Sequence, residues 1–342
     1  MDKELLYTDR STGKRFERER LPLTKEGLVT FLADSAVTYG EKSRSGWDSI
    51  YRQRHGKGAL GQGQAAGKSH PPPVMEDRLR PLPYFSHLLR LASALEPGSP
   101  ALEVGCGTAG TSLALAGESG TVPYGVDISR HAAIEASRRF AWHGFDPVTL
   151  SLSDATSLPF DDNTFPLVFG KTVFEHFDCP RRAAQEIFRV TAPGGHVVMD
   201  VPNSRNSYWT CAALRSLAQT HTTNLYSIED LRAFFEDQGF EIAETWGSWI
   251  IYTTPYILLN EVFRFDKHGG RGGEDAAQEP AGSAQALKSG GPASRILISP
   301  LVLADRLFKE TLRKFNELCD RQGWTSENNG ILIGVVARKP GP

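Results

Sequence analysis

A glycine-rich turn follows a short apolar run at residues 101–110, ALEVGCGTAG. Gly105, Gly107 and Gly110 have the G-x-G-x-x-G spacing of dinucleotide sites, where glycines let the backbone approach the ligand closely. Glu103 places a carboxylate where a pyrophosphate would need hydrogen-bond donors, but a carboxylate suits a ligand with positive charge. The segment therefore predicts a nucleotide-like cofactor and favours a cationic one.

Two more carboxylates follow at the ends of predicted strands. Asp127 lies twenty residues after Gly107, where it can accept hydrogen bonds from both hydroxyls of a ribose. NAD and S-adenosylmethionine both carry that ribose, so Asp127 is compatible with either. Asp154, in SDATSLPFDDNTF, can accept from an adenine amino group, and GKTVFEHF offers polar groups to a methionine tail. With Glu103, these features favour S-adenosylmethionine.

The elements that must position these residues alternate between strand and helix. Apolar runs that end in turn residues predict buried parallel strands in PALEVGC, TVPYGVDI, PLVFGKT and GGHVVMDVP. Helical spacing is found at Ala109–Ala116 and at Ser129–Ala141, where Ser129 is the expected N-cap. A third helix follows a capping box of Ser227 and Asp230. The alternation predicts an α/β fold with a doubly wound sheet.

Two late segments, EIAETWGSWI and NGILIGVVARK, predict the last two strands, with a long insertion between them. We expect five regions along the chain. These are an N-terminal arm at 1–54, a flexible linker at 55–74, a core at 75–250, a cap insertion at 251–325 with a disordered loop at 267–294, and a last core strand and tail at 326–342.

Five segments in order, LEVGCGTAG, GVDIS, SDATSLPFDDNTF, VFEHF and RVTAPGGHVVMDVPN, resemble the motifs of class I S-adenosylmethionine-dependent methyltransferases. The resemblance covers roughly Pro83–Thr245 plus the last strand, and it is greatest to the branch that includes the ubiquinone and menaquinone biosynthesis methyltransferases. It implies a Rossmann-like, doubly wound sheet of seven strands, the last antiparallel, and S-adenosylmethionine as cofactor. The residues assigned to that cofactor are Glu103, Gly105, Cys106, Gly107, Asp127, Ile128, Asp154, Ala155 and Lys171.

The sequence departs from the family pattern at two positions. Pro166 stands where the family usually has aspartate, just before the fourth strand. Thr172 stands where a metal-binding subset of the family has a glutamate, three residues before the Glu175–His176 pair. Because Glu175 and His176 alone make a poor cation site, we expect no metal.

Methyl transfer from a sulfonium requires mainly that nucleophile, methyl carbon and sulfur be aligned in a dry pocket. A base is needed only if the nucleophile is a hydroxyl or a protonated amine. His176 is then the first candidate for the catalytic base and His221 the second. In the alternative interpretation, Glu175 and His176 only begin a helix and bind its free amides.

Composition narrows the partners. The chain has 38 Lys and Arg against 40 Asp and Glu. Its net charge of −2 provides no overall positive field to attract nucleic acid, so we expect no nucleic-acid partner. Four cysteines without a C-x-x-C pair predict neither a zinc site nor a disulfide framework.

Apolar stretches in the insertion favour a small, apolar or lipid-like molecule as the substrate, methylated at O, N or C. We expect a cytoplasmic protein with peripheral membrane contact through the cap. The alternatives are a protein or RNA substrate, or a non-catalytic cofactor-binding partner subunit.

Overall fold

The chain divides into two compact units, Met1–Ser248 with Thr325–Pro342, and Trp249–Trp324. The computed structural model describes residues 7–9, 14–16, 21–25, 28–31, 82–206, 224–248, 311, 314–315, 318–319, 321–322 and 326–341. The predicted linker at 55–74, the loop at 267–294 and His221 lie outside these residues, as does most of the cap at 251–325.

A mixed sheet forms the centre of the first unit. In the order β3-β6-β5-β4-β7-β8-β10-β9, its described strands are Val29–Thr30 (β3), Pro100–Val104 (β4), Val122–Asp127 (β5), Leu150–Leu152 (β6), Phe165–Lys171 (β7), Thr191–Pro202 (β8), Glu241–Ser248 (β9) and Leu332–Arg338 (β10). Strands β3 to β8 run parallel, while β10 is antiparallel to both β8 and β9. The doubly wound α/β fold with an antiparallel last strand is therefore confirmed.

The described sheet has eight strands rather than the predicted seven, because the N-terminal arm adds β3 beside β6. Before β3, Tyr7–Asp9 (β1) and Lys14–Phe16 (β2) form an antiparallel hairpin. The ring of Tyr7 is buried against those of Phe31 and Phe160, with centroids 5.5 and 5.2 Å away. The described part of the arm thus packs on the core of the first unit.

Helices cover both faces of the sheet. Their bounds are Pro83–Ala92 (α1), Gly110–Ser119 (α2), Arg130–Trp142 (α3), Pro180–Val190 (α4) and Ile228–Glu236 (α5). Because side chains alternate along a strand, Leu102 and Val104 join the apolar core that also contains Ile187 of α4 and Leu231 of α5, whereas Glu103 faces α2. Each strand of the core therefore presents one side to each helix layer.

The predicted helix starts are confirmed for α3 and α5. The Ser129 side chain accepts from the Ala132 N–H, and Ser227 and Asp230 form the reciprocal capping box. Helix α2 has no such cap, since its first flanking residue, Ala109, has a φ of 59° and no side-chain hydrogen bond. The Ser112 N–H in the first turn of α2 instead donates to the side chain of Glu103.

Pro166 is accommodated inside β7 and not in a turn before it. The pairing of β7 with β8 shifts register between Phe165 and Leu167, so the proline, which has no N–H to donate, sits at a bulge.

The second unit contains helical residues among those described at 311–321. Phe315 is exposed there, whereas Cys319 is buried. The spacing of Phe308, Leu312, Phe315 and Cys319 predicts one apolar stripe of a helix, but Phe308 and Leu312 are outside the described residues. Within the part of the chain that the structure describes, no helix has the length and apolar character needed to cross a bilayer.

Candidate functional site

The predicted site residues meet at one edge of the sheet. Glu103 lies in β4, Asp127 ends β5, Asp154 follows β6, and Lys171 ends β7. In an open α/β sheet, ligands bind outside the carboxyl ends of the parallel strands, which is where these four turns are located. The fold thus brings together side chains that lie far apart in the sequence.

The glycine turn is fastened to the end of β5 by Asp127. One carboxylate oxygen, Oδ2, accepts from the Gly107 N–H at 2.7 Å, and Oδ1 accepts from the Ser129 N–H at 2.8 Å. The side chain is 9% exposed. Because a carboxylate oxygen has more than one acceptor position, Asp127 can shape the turn and still accept from a ligand.

Two glycines and a cysteine form the floor of this turn. Gly105 and Gly107 have φ angles of +68° and +54°, in the left-handed region that favours glycine. Cys106 donates its N–H to the Val126 carbonyl at 3.0 Å, and its side chain is buried, which raises the pKa of the thiol. A cofactor in the turn would therefore meet the Cys106 backbone and not its sulfur.

Glu103 is placed at the start of α2. It is 3% exposed, and its Oε2 accepts from the Ser112 N–H at 3.1 Å and from the Ser112 hydroxyl. Burial raises the pKa of the carboxyl to about 7, against the lowering effect of these hydrogen bonds and with Asp127 as a further raising charge. At pH 6 the group is thus mostly protonated, and a neighbouring cation would favour its ionised form.

A cationic ligand beside Glu103 is expected to release a proton when it binds. At pH 6 the Glu103 carboxyl of the free protein is mostly protonated, and the cation lowers its pKa in the complex, so the proton is released on binding. At pH 8 the carboxyl is already mostly ionised, and little proton is released. Calorimetry with S-adenosylmethionine in buffers of different ionisation enthalpy measures this proton. Glu103→Gln should eliminate the release at pH 6, and an unchanged release in that variant would contradict the assignment.

The turn after β6 has a different construction. Both hydrogen bonds recorded to the Asp154 carboxylate use Oδ1, from the Thr156 N–H and the Thr156 hydroxyl, each at 2.8 Å. Burial raises the pKa of this carboxyl, mainly offset by the same two bonds. Ala155 and, after β5, Ile128 are half-buried beside these turns. The structure therefore places Asp154, Ala155 and Ile128 at the predicted edge.

Arg139 supports the glycine turn from α3, a role that the sequence did not predict. It is buried, and its guanidinium donates to the carbonyl and hydroxyl oxygens of Thr108 at 2.9 and 3.1 Å. The only sequence signal is an arginine on the apolar side of an amphipathic helix, next to Phe140. Arg139 thus connects a helix to the turn without being part of a motif.

Arg139→Met is expected to raise the dissociation constant of S-adenosylmethionine by about 10-fold, the equivalent of ~1.4 kcal/mol, because Thr108 loses its charged donor. Arg138→Met is the matched control, since the side chain of the neighbouring Arg138 is 48% exposed and pairs with Glu135 at 3.8 Å. Equal effects of the two substitutions in titration calorimetry would show that Arg139 does not brace the turn.

Beyond the glycine turn, a half-buried lysine at the end of β7 faces a buried carboxylate in β8. Lys171 Nζ lies 3.7 Å from Asp200 Oδ2, and Asp200 Oδ1 accepts from the Thr172 N–H at 2.8 Å. Burial raises the pKa of Asp200, while Lys171 and the Thr172 amide lower it. Thr172 has a φ of 44°, a strained conformation for a β-branched residue. Lys171 thus reaches the predicted edge as a partner of Asp200.

Tyr84 of α1 lies beside this pair and was missed in the sequence. Its hydroxyl is buried without a hydrogen-bond partner in the described structure, and burial raises its pKa, with Asp200 and Glu103 adding to the shift. The Lys171 ammonium lies 5.8 Å from the centre of its ring. A buried hydroxyl without a partner costs roughly 1–3 kcal/mol, which makes the Tyr84 hydroxyl a candidate to pair with a group of a ligand.

Glu175 and His176 form a single turn of 3₁₀ helix, Phe174–His176, and α4 begins only at Pro180. The pair therefore lies in a short helical turn, as in the alternative interpretation, but this turn is separate from α4. His176 Nε2 lies 3.7 Å from Glu175 Oε1. The described residues contain no cluster of three His, Cys, Asp or Glu side chains suited to a metal ion.

Comparison with known proteins gives a family for this site. Residues 102–199 match a family model described as a methyltransferase domain. The chain is 40% identical over 107 residues to the demethylmenaquinone methyltransferase of Anoxybacillus flavithermus, covering 30% of this chain and 45% of that protein. It is 30% identical over 183 residues to a probable chloroplastic tocopherol O-methyltransferase of Oryza sativa subsp. japonica, covering 52% and 47%.

A third relative is the 2-methyl-6-phytyl-1,4-hydroquinone methyltransferase of Synechocystis sp., which is 28% identical over 200 residues. That match covers 55% of this chain and 62% of the relative. The chain therefore spans between 45% and 62% of the length of these three relatives.

Proposed function

Because the chain belongs to the class I S-adenosylmethionine-dependent methyltransferase family, near its quinone-methyltransferase branch, we propose that it methylates a small, lipid-like acceptor. S-adenosylmethionine is the cofactor. The observation that carries the proposal is the Asp127 carboxylate, which binds the glycine turn at 2.7 Å and is placed to accept from a ribose.

The residues of the site fit this cofactor. Asp127 would hold the ribose, Asp154 the adenine amino group, and the carboxyl of Glu103 would face the positive charges. A Cβ atom at Gly105 would lie 2.1 Å from Val173 Cγ2, so the turn has room for backbone only. When bound, the cofactor supplies an electrophilic methyl group on a sulfonium.

The acceptor class is supported by what the relatives are named for. Their names specify demethylmenaquinone, tocopherol and a phytyl hydroquinone, which are all lipid-like aromatic molecules. The two apolar stretches of the insertion, IIYTTPYILLNEVF and ILISPLVLADRLF, agree with such an acceptor. We extend the proposal to peripheral membrane contact through these stretches, which sedimentation with liposomes tests.

His176 is the proposed base where the acceptor atom is a hydroxyl oxygen. It is partly buried after β7, and its Nε2 lies 3.7 Å from a Glu175 oxygen. The protein's task is to orient the acceptor, exclude water and take up one proton at the imidazole. His176→Ala is expected to lower kcat by roughly 100-fold with unchanged cofactor affinity. His221 is tested in the same way as the second candidate.

The function is tested with S-adenosylmethionine that carries an isotopically labelled methyl group. The acceptors are demethylmenaquinol, 2-methyl-6-phytyl-1,4-hydroquinone, phosphoethanolamine, total RNA and a protein extract. We expect label in a quinol, and its loss in Asp127→Ala. Label in RNA or protein would support the macromolecular alternative, and cofactor binding without turnover on any acceptor would support a non-catalytic subunit.

A further inference from the structure

Glu175 has a buried carboxyl group that the cofactor site does not use. The side chain is 2% exposed, and Oε2 has no hydrogen-bond partner among the described residues. The other oxygen, Oε1, lies 3.7 Å from His176 Nε2, which is beyond hydrogen-bond distance. Buried polar atoms in native proteins are nearly always paired, so this oxygen calls for a partner from outside the described chain.

The backbone around Glu175 is held rigidly. Its carbonyl accepts from the Asn224 N–H at 2.8 Å and from Asn224 Nδ2 at 3.2 Å. The preceding residue, Phe174, is fully buried against the rings of Phe177, Tyr226, Phe234 and Phe235. The backbone that carries the Glu175 carboxyl is therefore fixed by Asn224 and by the aromatic cluster around Phe174.

The charged and titratable groups that face Glu175 are Asp200, Lys171, His176 and Tyr226. Burial raises the pKa of the Glu175 carboxyl well above its usual range, against the lowering effect of a hydrogen bond from its own backbone N–H, while Asp200 raises it further and Lys171 lowers it. Glu175 in turn contributes to the rise of the Tyr226 pKa to about 12. Burial thus favours the uncharged acid form of Glu175, which has one O–H to donate.

The position of Glu175 in the sheet favours the methyl acceptor over the cofactor as the partner of its carboxyl group. The turns that hold Glu103, Asp127 and Asp154 follow β4, β5 and β6, on one half of the sheet edge, and Lys171, which is also assigned to the cofactor, ends β7. Glu175 follows β7, and its neighbours Asp200 and Tyr226 belong to β8 and the segment after it. The largest charge effects on Glu175 come from Asp200 and Lys171, whereas Glu103 contributes to the raised pKa of Tyr84.

We infer that the carboxylic acid of Glu175 donates a hydrogen bond from Oε2 to an oxygen atom of the methyl acceptor and so selects acceptors with a hydroxyl or carbonyl group there. The inference rests on the proposed function, since it requires an oxygen-bearing acceptor beside β7 and β8. Glu175 keeps its proton throughout, and His176 is the group that accepts one. A site built to bond an oxygen rejects analogues that lack it, because the buried acid is then left unpaired.

The test compares Glu175→Gln, which keeps a donor of the same shape without charge, with Glu175→Leu, which removes it. The probe is 2-methyl-6-phytyl-1,4-hydroquinone, together with the two analogues that each lack one hydroxyl. We expect Glu175→Gln to stay within about 5-fold of the wild type in kcat/KM, and Glu175→Leu to raise KM by about 10- to 100-fold. Glu236→Gln, an exposed residue paired with Arg232, is the control.

One of the two analogues lacks the hydroxyl that Glu175 would bind. Wild type and Glu175→Leu should bind that analogue equally weakly. Infrared spectra at pH 7 should contain the carbonyl stretch of a carboxylic acid that is missing in Glu175→Gln and that shifts when the hydroquinone is added. This signal requires no turnover, and it decides the question if Glu175→Leu does not fold.

Three results would overturn the inference. One is a Glu175→Leu enzyme with wild-type KM. Another is a folded Glu175→Gln enzyme that binds cofactor but is as inactive as Glu175→Leu, which would make Glu175 an ionised base. The third is the lack of the infrared band. A wild-type enzyme that methylates no oxygen-bearing acceptor would instead refute the proposed function, and this inference with it.

Discussion

Gly105→Ala is expected to eliminate measurable binding of S-adenosylmethionine. The added Cβ would lie 2.1 Å from Val173 Cγ2 and 3.0 Å from Val173 Cβ, while the backbone has a φ of +68°. Val173 is β-branched and has few alternative rotamers, so the turn itself must move. Steric overlap and the left-handed conformation together cost about 3–5 kcal/mol, which corresponds to roughly a 100- to 4,000-fold loss of affinity.

Gly98 provides a matched control for the backbone part of this effect. It has a φ of +84°, but a Cβ atom there would meet nothing within 4 Å. Gly98→Ala should therefore cost only about 1–2 kcal/mol of stability and leave cofactor affinity unchanged. The double variant Gly105→Ala, Val173→Ala should recover part of the affinity. If calorimetry finds that Gly105→Ala binds the cofactor within a few-fold of wild type, the close approach is not functionally important.

Arg189→Met is expected to lower the free energy of unfolding by about 3–5 kcal/mol, because it leaves a largely buried carboxylate without its partner. The Arg189 guanidinium donates to both oxygens of Glu186 at 2.8 and 2.7 Å, and to Asp162 at 2.8 Å. It also donates to the carbonyls of Phe160 and Leu158 at 2.6 and 2.8 Å. For a unit of this size the melting temperature should fall by roughly 6–20 °C.

Arg232→Met tests whether the location of the ion pair matters. Arg232 pairs with Glu236 one helical turn away, and both side chains are about half exposed. Such pairs contribute about 0.3–0.5 kcal/mol, so calorimetric melting should hardly change. Similar losses in the two variants would mean that Arg189 is no more important than a surface charge. Arg189 also binds the carbonyls of Leu158 and Phe160, which follow the Asp154 turn, so cofactor affinity provides a second measurement.

The sequence predicted the elements whose signals are local. The apolar runs at β4, β5, β7 and β8 and the caps at Ser129 and Ser227 each lie within a few residues of the element that they define. Strand β3 was missed because two residues carry no periodicity, and it forms only because β6 offers a free edge. Helix α1 was missed although it begins with a proline at its first turn.

The site was predicted in position but not in detail. The order of motifs placed Glu103, Asp127, Asp154 and Lys171 at one edge of the sheet, as the fold requires. Their hydrogen bonds to the protein's own backbone, such as Glu103 to Ser112, depend on distances that only the folded chain sets. Tyr84 and Arg139 could not be predicted for the same reason. The Tyr84 hydroxyl stands out only because it is buried, and Arg139 only because it binds Thr108, 31 residues away.

The sheet is completed by a strand that is synthesised late. Strand β10 lies between β8 and β9 and pairs with both, although residues 249–331 separate it from β9 in the sequence. At ~5–20 residues per second, a ribosome needs roughly 4–17 seconds to make that stretch. During this interval the β8 edge has no β10 to pair with, and β9 has no strand to join. The nascent chain therefore exposes an open β-edge that another copy or a chaperone can bind.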